Sequence, residues 1–387
     1  MSESANSYNA SDITVLYGHE AIRKRPGMYV GSTTERGLHQ AVFEVVGRAV
    51  NEVQADRATS VDVTLTPGGV SVVDDGPDVP VKAAGDTDAS SLELLLTRLP
   101  AGWEPLGRNT AVMGLAVLGL CVTNALSSRL TAEVRREGTR WVQQYAHGVP
   151  VAPPTAAGPA ADRGTTIAFW PDPDIFETVE CSFSVLADRF RDLAFLNRCL
   201  TISLTDARHP GEPRSVRFRS PAGAQDFVAF LDTPTGSPVH PDIIGFEWED
   251  PRMEGTAEVA LRWCTSCEER VHGFANSRPT REGGTHVLGF RDGATNAVNA
   301  YVRKRRLRPT AHPDLSPEQI CEGLTAIVSL KLDHPWFEGA TGSMLGNPTV
   351  RPCVAEAVQK HLGNWLDSHP EQAAAVIDRI VQGTPGS

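Results

Sequence analysis

Glu44 and Arg48 stand four residues apart in a run whose apolar residues recur at helical spacing. That spacing puts an acid and a guanidinium on one helix face, the acid toward the N-terminus, the order that favours an ion pair. Such a pair is worth about 0.2–0.5 kcal/mol when exposed, and more inside a pocket. A carboxylate held this way gives up affinity for a proton and becomes a poorer general base. A second acidic feature, Asp74-Asp75-Gly76-Pro77, ends a strand in a tight turn. Cys264 and Cys267 form one CxxC; with no second pair it reads as two small residues in a hairpin turn, not as a zinc or redox site. Arg303, Lys304, Arg305 and Arg306, with Arg308, make the basic cluster of an acidic chain. Clusters of this kind usually lie at solvated helix ends.

The elements that must position these residues follow from periodicity. Leu38, Val42, Phe43, Val45, Val46, Ala49, Val50 and Val53 predict an amphipathic helix carrying Glu44 and Arg48. Ser60–Leu65 and Gly69–Val73, joined by Thr66-Pro67-Gly68-Gly69, predict a hairpin that delivers Asp74. Residues 100–110 are rich in Gly, Pro and polar types and lead into the apolar stretch Ala111–Val122. Strand signals follow near Leu130–Val134, Trp141–Tyr145 and Thr165–Trp170, with a surface loop expected over 149–163. Polar, proline-containing sequence over 205–222 marks a boundary. Beyond it come a helix at Ala224–Leu231, strands near Ala257–Trp263 and His272–Ser277, a long helix from Gly284, a strand at Leu324–Lys331 and a C-terminal helix. Mixed helices and antiparallel strands in two blocks point to two α+β domains.

Bulk properties narrow the function classes. The 387 residues suffice for two domains without disulfide staples, and the seven cysteines have no framework spacing. A net charge of −11 argues against a protein that coats nucleic acid over its whole surface, though not against one local basic patch. No apolar run reaches the roughly 20 residues needed to cross a bilayer, and the first dozen residues have no signal-peptide pattern. The expected compartment is the cytoplasm, with no membrane partner.

Seven motifs in order, AIRKRPGMYVG (21–31), GLHQAVFEVV (37–46), DDG (74–76), NALS (124–127), YAHGVP (145–150), RGTTIAFWP (163–171) and REGGTHVLGFR (281–291), resemble the bacterial gyrase B protein and the related topoisomerase IV subunit. The resemblance implies an α+β fold: an N-terminal arm (1–14), a GHKL (Bergerat) α/β sandwich (15–220) and a transducer of the ribosomal-protein S five type (221–387). It also implies that the chain ends before the metal-binding TOPRIM domain, so DNA cleavage by this chain alone is not expected.

The resemblance assigns roles residue by residue. Glu44 occupies the general-base position, Gln40 the place of its supporting histidine, and Arg48 the place of the magnesium-binding asparagine, so no metal ligand is expected. Asp74 matches the carboxylate that accepts the purine amino group, and Gly76 and Thr165 complete that pocket. Pro77-Asp78 replaces an Arg-Gly, removing an N–H and adding charge where phosphate would lie. In the glycine-rich phosphate lid Gly114 and Gly119 survive, whereas Met113, Ala116 and Val117 replace glycines and a histidine, blocking close backbone approach. Trp103 stands for a lid lysine. Ala340-Thr341-Gly342 stands where a Gln-Thr-Lys loop supplies a cation to the γ-phosphate. Tyr8 matches an arm tyrosine that reaches the partner protomer's site, and Arg303, Lys304, Arg305 and Arg306 match a DNA-facing surface. Val142 replaces an arginine of the coumarin-antibiotic pocket.

Three functions remain open from the sequence. One is a pseudo-ATPase acting as a binding module that forms a homodimer or pairs with a gyrase subunit. It would need no cofactor, or would take ATP without normal magnesium coordination, and would make weak DNA contact through the transducer. A second is a repurposed enzyme of specialised metabolism that takes a small molecule in the old pocket, with Glu44 and Asp74 as acid/base groups and Arg48 and Arg108 as anion anchors. The third is an ATP-hydrolysing clamp of a type II topoisomerase.

Overall fold

The structure, a computed structural model, describes residues 16, 18–77, 90–99, 107–113, 119–232, 236–309, 313–339 and 342–382. Its first block runs α1 (His19–Lys24), α2 (Gly27–Val30), α3 (Glu35–Gln54), β1 (Ser60–Thr66), β2 (Gly69–Asp74), α4 (Ser91–Thr97) and α5 (Leu120–Ala125). It continues through β3 (Ser127–Arg136), β4 (Thr139–Ala146), β5 (Val149–Pro150), β6 (Thr155–Pro159), β7 (Gly164–Pro171), α6 (Phe183–Leu196), β8 (Thr201–Asp206) and β9 (Arg214–Phe218). The strands form one sheet in the order β5-β4-β3-β7-β2-β1-β8-β9, with β6 also on β4. Every pairing in it is antiparallel except β1 with β8.

The helix expected from the periodicity is α3, and its apolar stripe is fully buried in the core that also takes Val61, Val63, Val72 and Phe169 from the sheet. Residues 149–163 are a correction: they contain β5 and β6, short strands that pair with β4. Proline and alanine there hid the strand signal, since an edge strand tolerates proline where its N–H would face solvent.

The second block runs α7 (Ala224–Asp232), β10 (Ile244–Asp250), β11 (Gly255–Trp263), β12 (Arg270–Ala275), β13 (Arg278–Pro279), α8 (Thr285–Arg305), α9 (Pro317–Cys321) and β14 (Leu324–Leu332). A small ribbon of β15 (Phe337–Glu338) and β16 (Met344–Leu345) precedes α10 (Val350–Ser368) and α11 (Pro370–Gln382). Its five-stranded sheet has the order β10-β11-β14-β12-β13. Strand β10 escapes the sequence reading, for its residues alternate between half-buried and exposed, as befits a sheet edge. The single C-terminal helix expected is two, broken before Pro370.

One face of this sheet packs on α8 and α10 around Val259, Leu261, Trp263, Val328 and Leu330. Gly289 and Gly293, one turn apart on α8, lie so close to α10 that a methyl at either would overlap the carbonyl of Arg351 or Ala355. The other face meets α7 and the end of α6 in a smaller cluster of Leu196, Phe227, Ala260, Phe274 and Ile327. That cluster joins the two blocks.

Candidate functional site

Register brings the pocket floor together. Strand β2 pairs with β7 so that Asp74 faces Thr165, and α3 crosses behind both with Arg48 pointing at them. The Arg48 Nη1 donates to Asp74 Oδ2 in a tight ion pair, and its Nη2 lies 3.4 Å from Thr165 Oγ1. Asp74 is almost sealed, its side chain 3% exposed against 15% for Arg48. Its other oxygen accepts the Gly76 N–H at 3.0 Å. A side chain at 76 would press on that same carboxylate and on Glu52, so a larger residue would have to shift Asp74. Burial pushes the Asp74 carboxyl above its ordinary range, while Arg48 and the Gly76 N–H pull it back.

The expected ion pair between Arg48 and Glu44 is therefore corrected. The guanidinium engages Asp74, the more buried carboxylate, because a sealed charge gains most from a partner. Glu44 instead accepts the Gly119 N–H at 3.0 Å, at the start of α5. Gly119 has φ 86°, in the left-handed region that favours glycine. Met113 packs its side chain over Gly47, one residue before Arg48, and is buried. The neighbouring Cys121 thiol is pushed up to about 12 by burial and then by Glu44, so it is not a nucleophile.

Arg108, expected as an anion anchor, is already occupied. Its Nε and Nη2 grip Asp333 at 2.8 and 2.6 Å, and its Nη1 reaches Glu249 at 2.7 Å. Segment 107–113 is thereby tied to the second block. The Val112 N–H donates to the Asn276 carbonyl at 2.8 Å, and Asn276 Nδ2 donates to the Gly107 and Leu332 carbonyls. Ala111 is fixed to α3 by Asn51 Oδ1 at 2.8 Å. Asn276 and Ser277 hold left-handed φ values of 49° and 63° at the tip of the β12–β13 turn, and Ser277 bonds Asn197 and Arg189 of the first block. Sequence reasoning missed Asn276 and Asp333; the Asn-Ser pair between two strands is the signal that marks such a turn.

Gly342 has φ 55°, and the Arg278 guanidinium lies 2.9 Å from where a side chain at 342 would begin. Arg278 also sits over the Phe337 ring at 4.9 Å. Two members of the basic cluster are ion-paired: Arg303 with Asp314 at 2.5 Å and Lys304 with Asp367 at 2.8 Å. Arg305 lies over Tyr301, and Arg306 caps α8 in a left-handed conformation. Val142 lies on β4 opposite Glu133. Cys264 is buried and Cys267 exposed, and no metal-binding cluster occurs among the described residues. Tyr8, Asp78, Trp103, Gly114, Ala116, Val117, Ala340 and Thr341 lie outside the described residues, as does the arm at 1–14. No described helix is long and apolar enough to cross a membrane.

Comparison with known proteins places this geometry. Residues 223–384 match the family model described as DNA gyrase B. The novobiocin-sensitive DNA gyrase B protein of Streptomyces niveus is 43% identical over 98% of this chain, which spans 59% of that relative's length. The 43K ATPase domain of Thermus thermophilus gyrase B, solved with an aminocoumarin, superposes with a TM-score of 0.81 at 29% identity, covering 94% of each chain. The ATP-binding domain of Francisella tularensis topoisomerase IV, solved with a small-molecule inhibitor, gives 0.77 at 27% identity, covering 95% of this chain and 97% of that one. The chain belongs to the DNA gyrase B family and corresponds to its ATPase region, a GHKL sandwich followed by a transducer.

Proposed function

We propose that this chain is a gyrase B-type pseudo-ATPase, a binding and dimerisation module whose nucleotide pocket is closed by its own arginine. The observation that carries the reading is the ion pair of Arg48 with Asp74, backed by Thr165. The carboxylate that the family resemblance assigns to the purine amino group already holds a guanidinium. A purine must displace a nearly sealed ion pair before it can bind. Position 48 also offers a fixed cation in place of an oxygen ligand, so any ATP that enters does so without ordinary magnesium coordination. Gly342 supplies no cation to the γ-phosphate, and Met113 packs the lid end onto α3. Losses of electrostatic groups of this kind cost roughly 10²-fold or more each in rate.

Pairing with a second copy or with a gyrase subunit is the proposed use of the retained scaffold. DNA contact through the transducer is weak in this reading, because Arg303 and Lys304 are matched by acids.

Calorimetry with a non-hydrolysable ATP analogue, with and without magnesium, tests the pocket. The expected result is weak binding that ignores magnesium, negligible turnover, and tighter binding after Arg48→Asn. Magnesium-dependent binding by the unaltered chain, with steady hydrolysis abolished by Glu44→Ala, would overturn it in favour of the ATP-driven clamp.

A further inference from the structure

The transducer sheet turns two unlike halves of one face toward the first block. Ala260, Phe274 and Ile327 lie under α7, whereas the half made by Glu247, Thr256, Glu258, Ser329 and Lys331 carries no helix. Pairing of Thr256 with Lys331 and of Glu258 with Ser329 sets these side chains in adjacent rows. The first block overhangs them with Val53, Gln54, Asp56 and Leu196–Cys199, and the half-open cleft between measures about 340 Å³. That is the small end of the range for ligand sites, about 300–1,000 Å³.

The charges of this cleft are unevenly matched. Glu258 already receives the Arg198 guanidinium at 2.7 Å and the Ala224 N–H at 2.9 Å. Glu247 shares the same arginine at 3.2 Å. Asp56 lies at the exposed rim. Lys331 has no ion pair within 4 Å, and neither its ammonium nor the hydroxyls of Ser329 and Thr256 make a side-chain hydrogen bond among the described residues. Three donors therefore line one cleft with no side-chain acceptor among the described residues. Burial pulls the Lys331 ammonium below its ordinary value despite Glu258, the behaviour of a cation lacking a close counterion.

We infer that this seam cleft binds a small organic oxyanion, a carboxylate or a phosphate, held by Lys331, Ser329 and Thr256 across the joint of the two blocks. The site stands apart from the nucleotide pocket and does not depend on how that pocket works. An occupant touches both blocks, so it stabilises their relative position by ordinary linkage.

Pyridoxal phosphate, an aldehyde that carries a phosphate, is the probe. The full chain is treated at neutral pH, reduced with borohydride and peptide-mapped. Lys331 should be labelled ahead of the exposed Lys24, Lys304 and Lys360, and inorganic phosphate or succinate should protect it, whichever protects better naming the source. In parallel, the better anion should raise the melting temperature of the unaltered chain, and Lys331→Met should lose that rise. Labelling of Lys331 no faster than surface lysines, or an equal rise in both proteins, would overturn the site. Should Lys331→Met fail to fold, the labelling and protection on the unaltered chain decide alone.

Discussion

The pocket floor and the joint between the blocks meet in one segment, residues 107–113, yet they are built on different rules. On the floor, side chains pair with side chains: Arg48 takes up Asp74 and Thr165, residues that the family resemblance assigns to purine binding. At the joint, ion pairs of Arg108 with Asp333 and Glu249 are joined by bonds from side chain to backbone: Asn276 bonds Gly107 and Leu332, and Asn51 bonds Ala111. Side-chain pairing spends recognition groups on the protein itself. Backbone pairing fixes where a segment sits whatever occupies the pocket. The contrast separates two properties, chemistry at the site and the position of the segment beside it, and the proposed function concerns the first.

The largest effect that would break this contrast is at the floor. Arg48→Met leaves a sealed carboxylate without its partner and should cost about 3–5 kcal/mol in denaturant unfolding. Adding Asp74→Asn should recover most of that loss. A single variant that loses under about 1 kcal/mol would show the pair to be solvated and the floor open. At the joint, Asn276→Ala removes bonds to three backbone groups from a left-handed residue, with an expected loss of about 2–3 kcal/mol. Asn276→Gly keeps the conformation, and its smaller loss measures the hydrogen bonds alone.

A third test uses pH. Burial drives His286 from 6.5 to about 3 in the folded chain. The unfolded chain thus takes up a proton first, so stability is intact above 6.5 and falls as pH drops toward 3. By linkage the loss from this residue is about 2 kcal/mol at pH 5. His39, His240 and His272 are lowered by burial too and act in the same direction. Asp192, raised to about 6 by burial, acts the other way between pH 7 and 5, so the check is His286→Leu: urea midpoints whose pH dependence is unchanged by that substitution would contradict the burial of the ring. The smallest effect sharpens the comparison: Arg108→Ala removes a partly exposed triad and should cost no more than about 1 kcal/mol globally. Amide exchange at Val112 should nonetheless quicken, since the segment it anchors is released.

Much of this was legible in the sequence, for physical reasons. Helix α3 carries an unbroken apolar stripe, and the β1–β2 hairpin has its turn residues in place, so both were readable with their cargo of Glu44, Arg48 and Asp74. The partner of Arg48 was not. Spacing along a helix shows which residues share a face, but the choice between Glu44 and Asp74 depends on burial created by a strand pairing far along the chain. The same holds for Arg108 and Asp333, which are brought together only by docking of the two blocks. Lys331 and Ser329 interrupt the apolar run of β14 at alternate positions, a signal of one polar face that passed unread.

The glycines of α8 carry a mechanical consequence. At Gly289 and Gly293 the helix comes against the α10 backbone and the first carbons of Val354 and Val358, leaving little soft side chain between them. Helix α10 in turn touches the β10 edge, so the pair links α8 to that strand by direct packing. Helices α8 and α10 are thus expected to behave as one body, and a bulky residue at either glycine should force them apart.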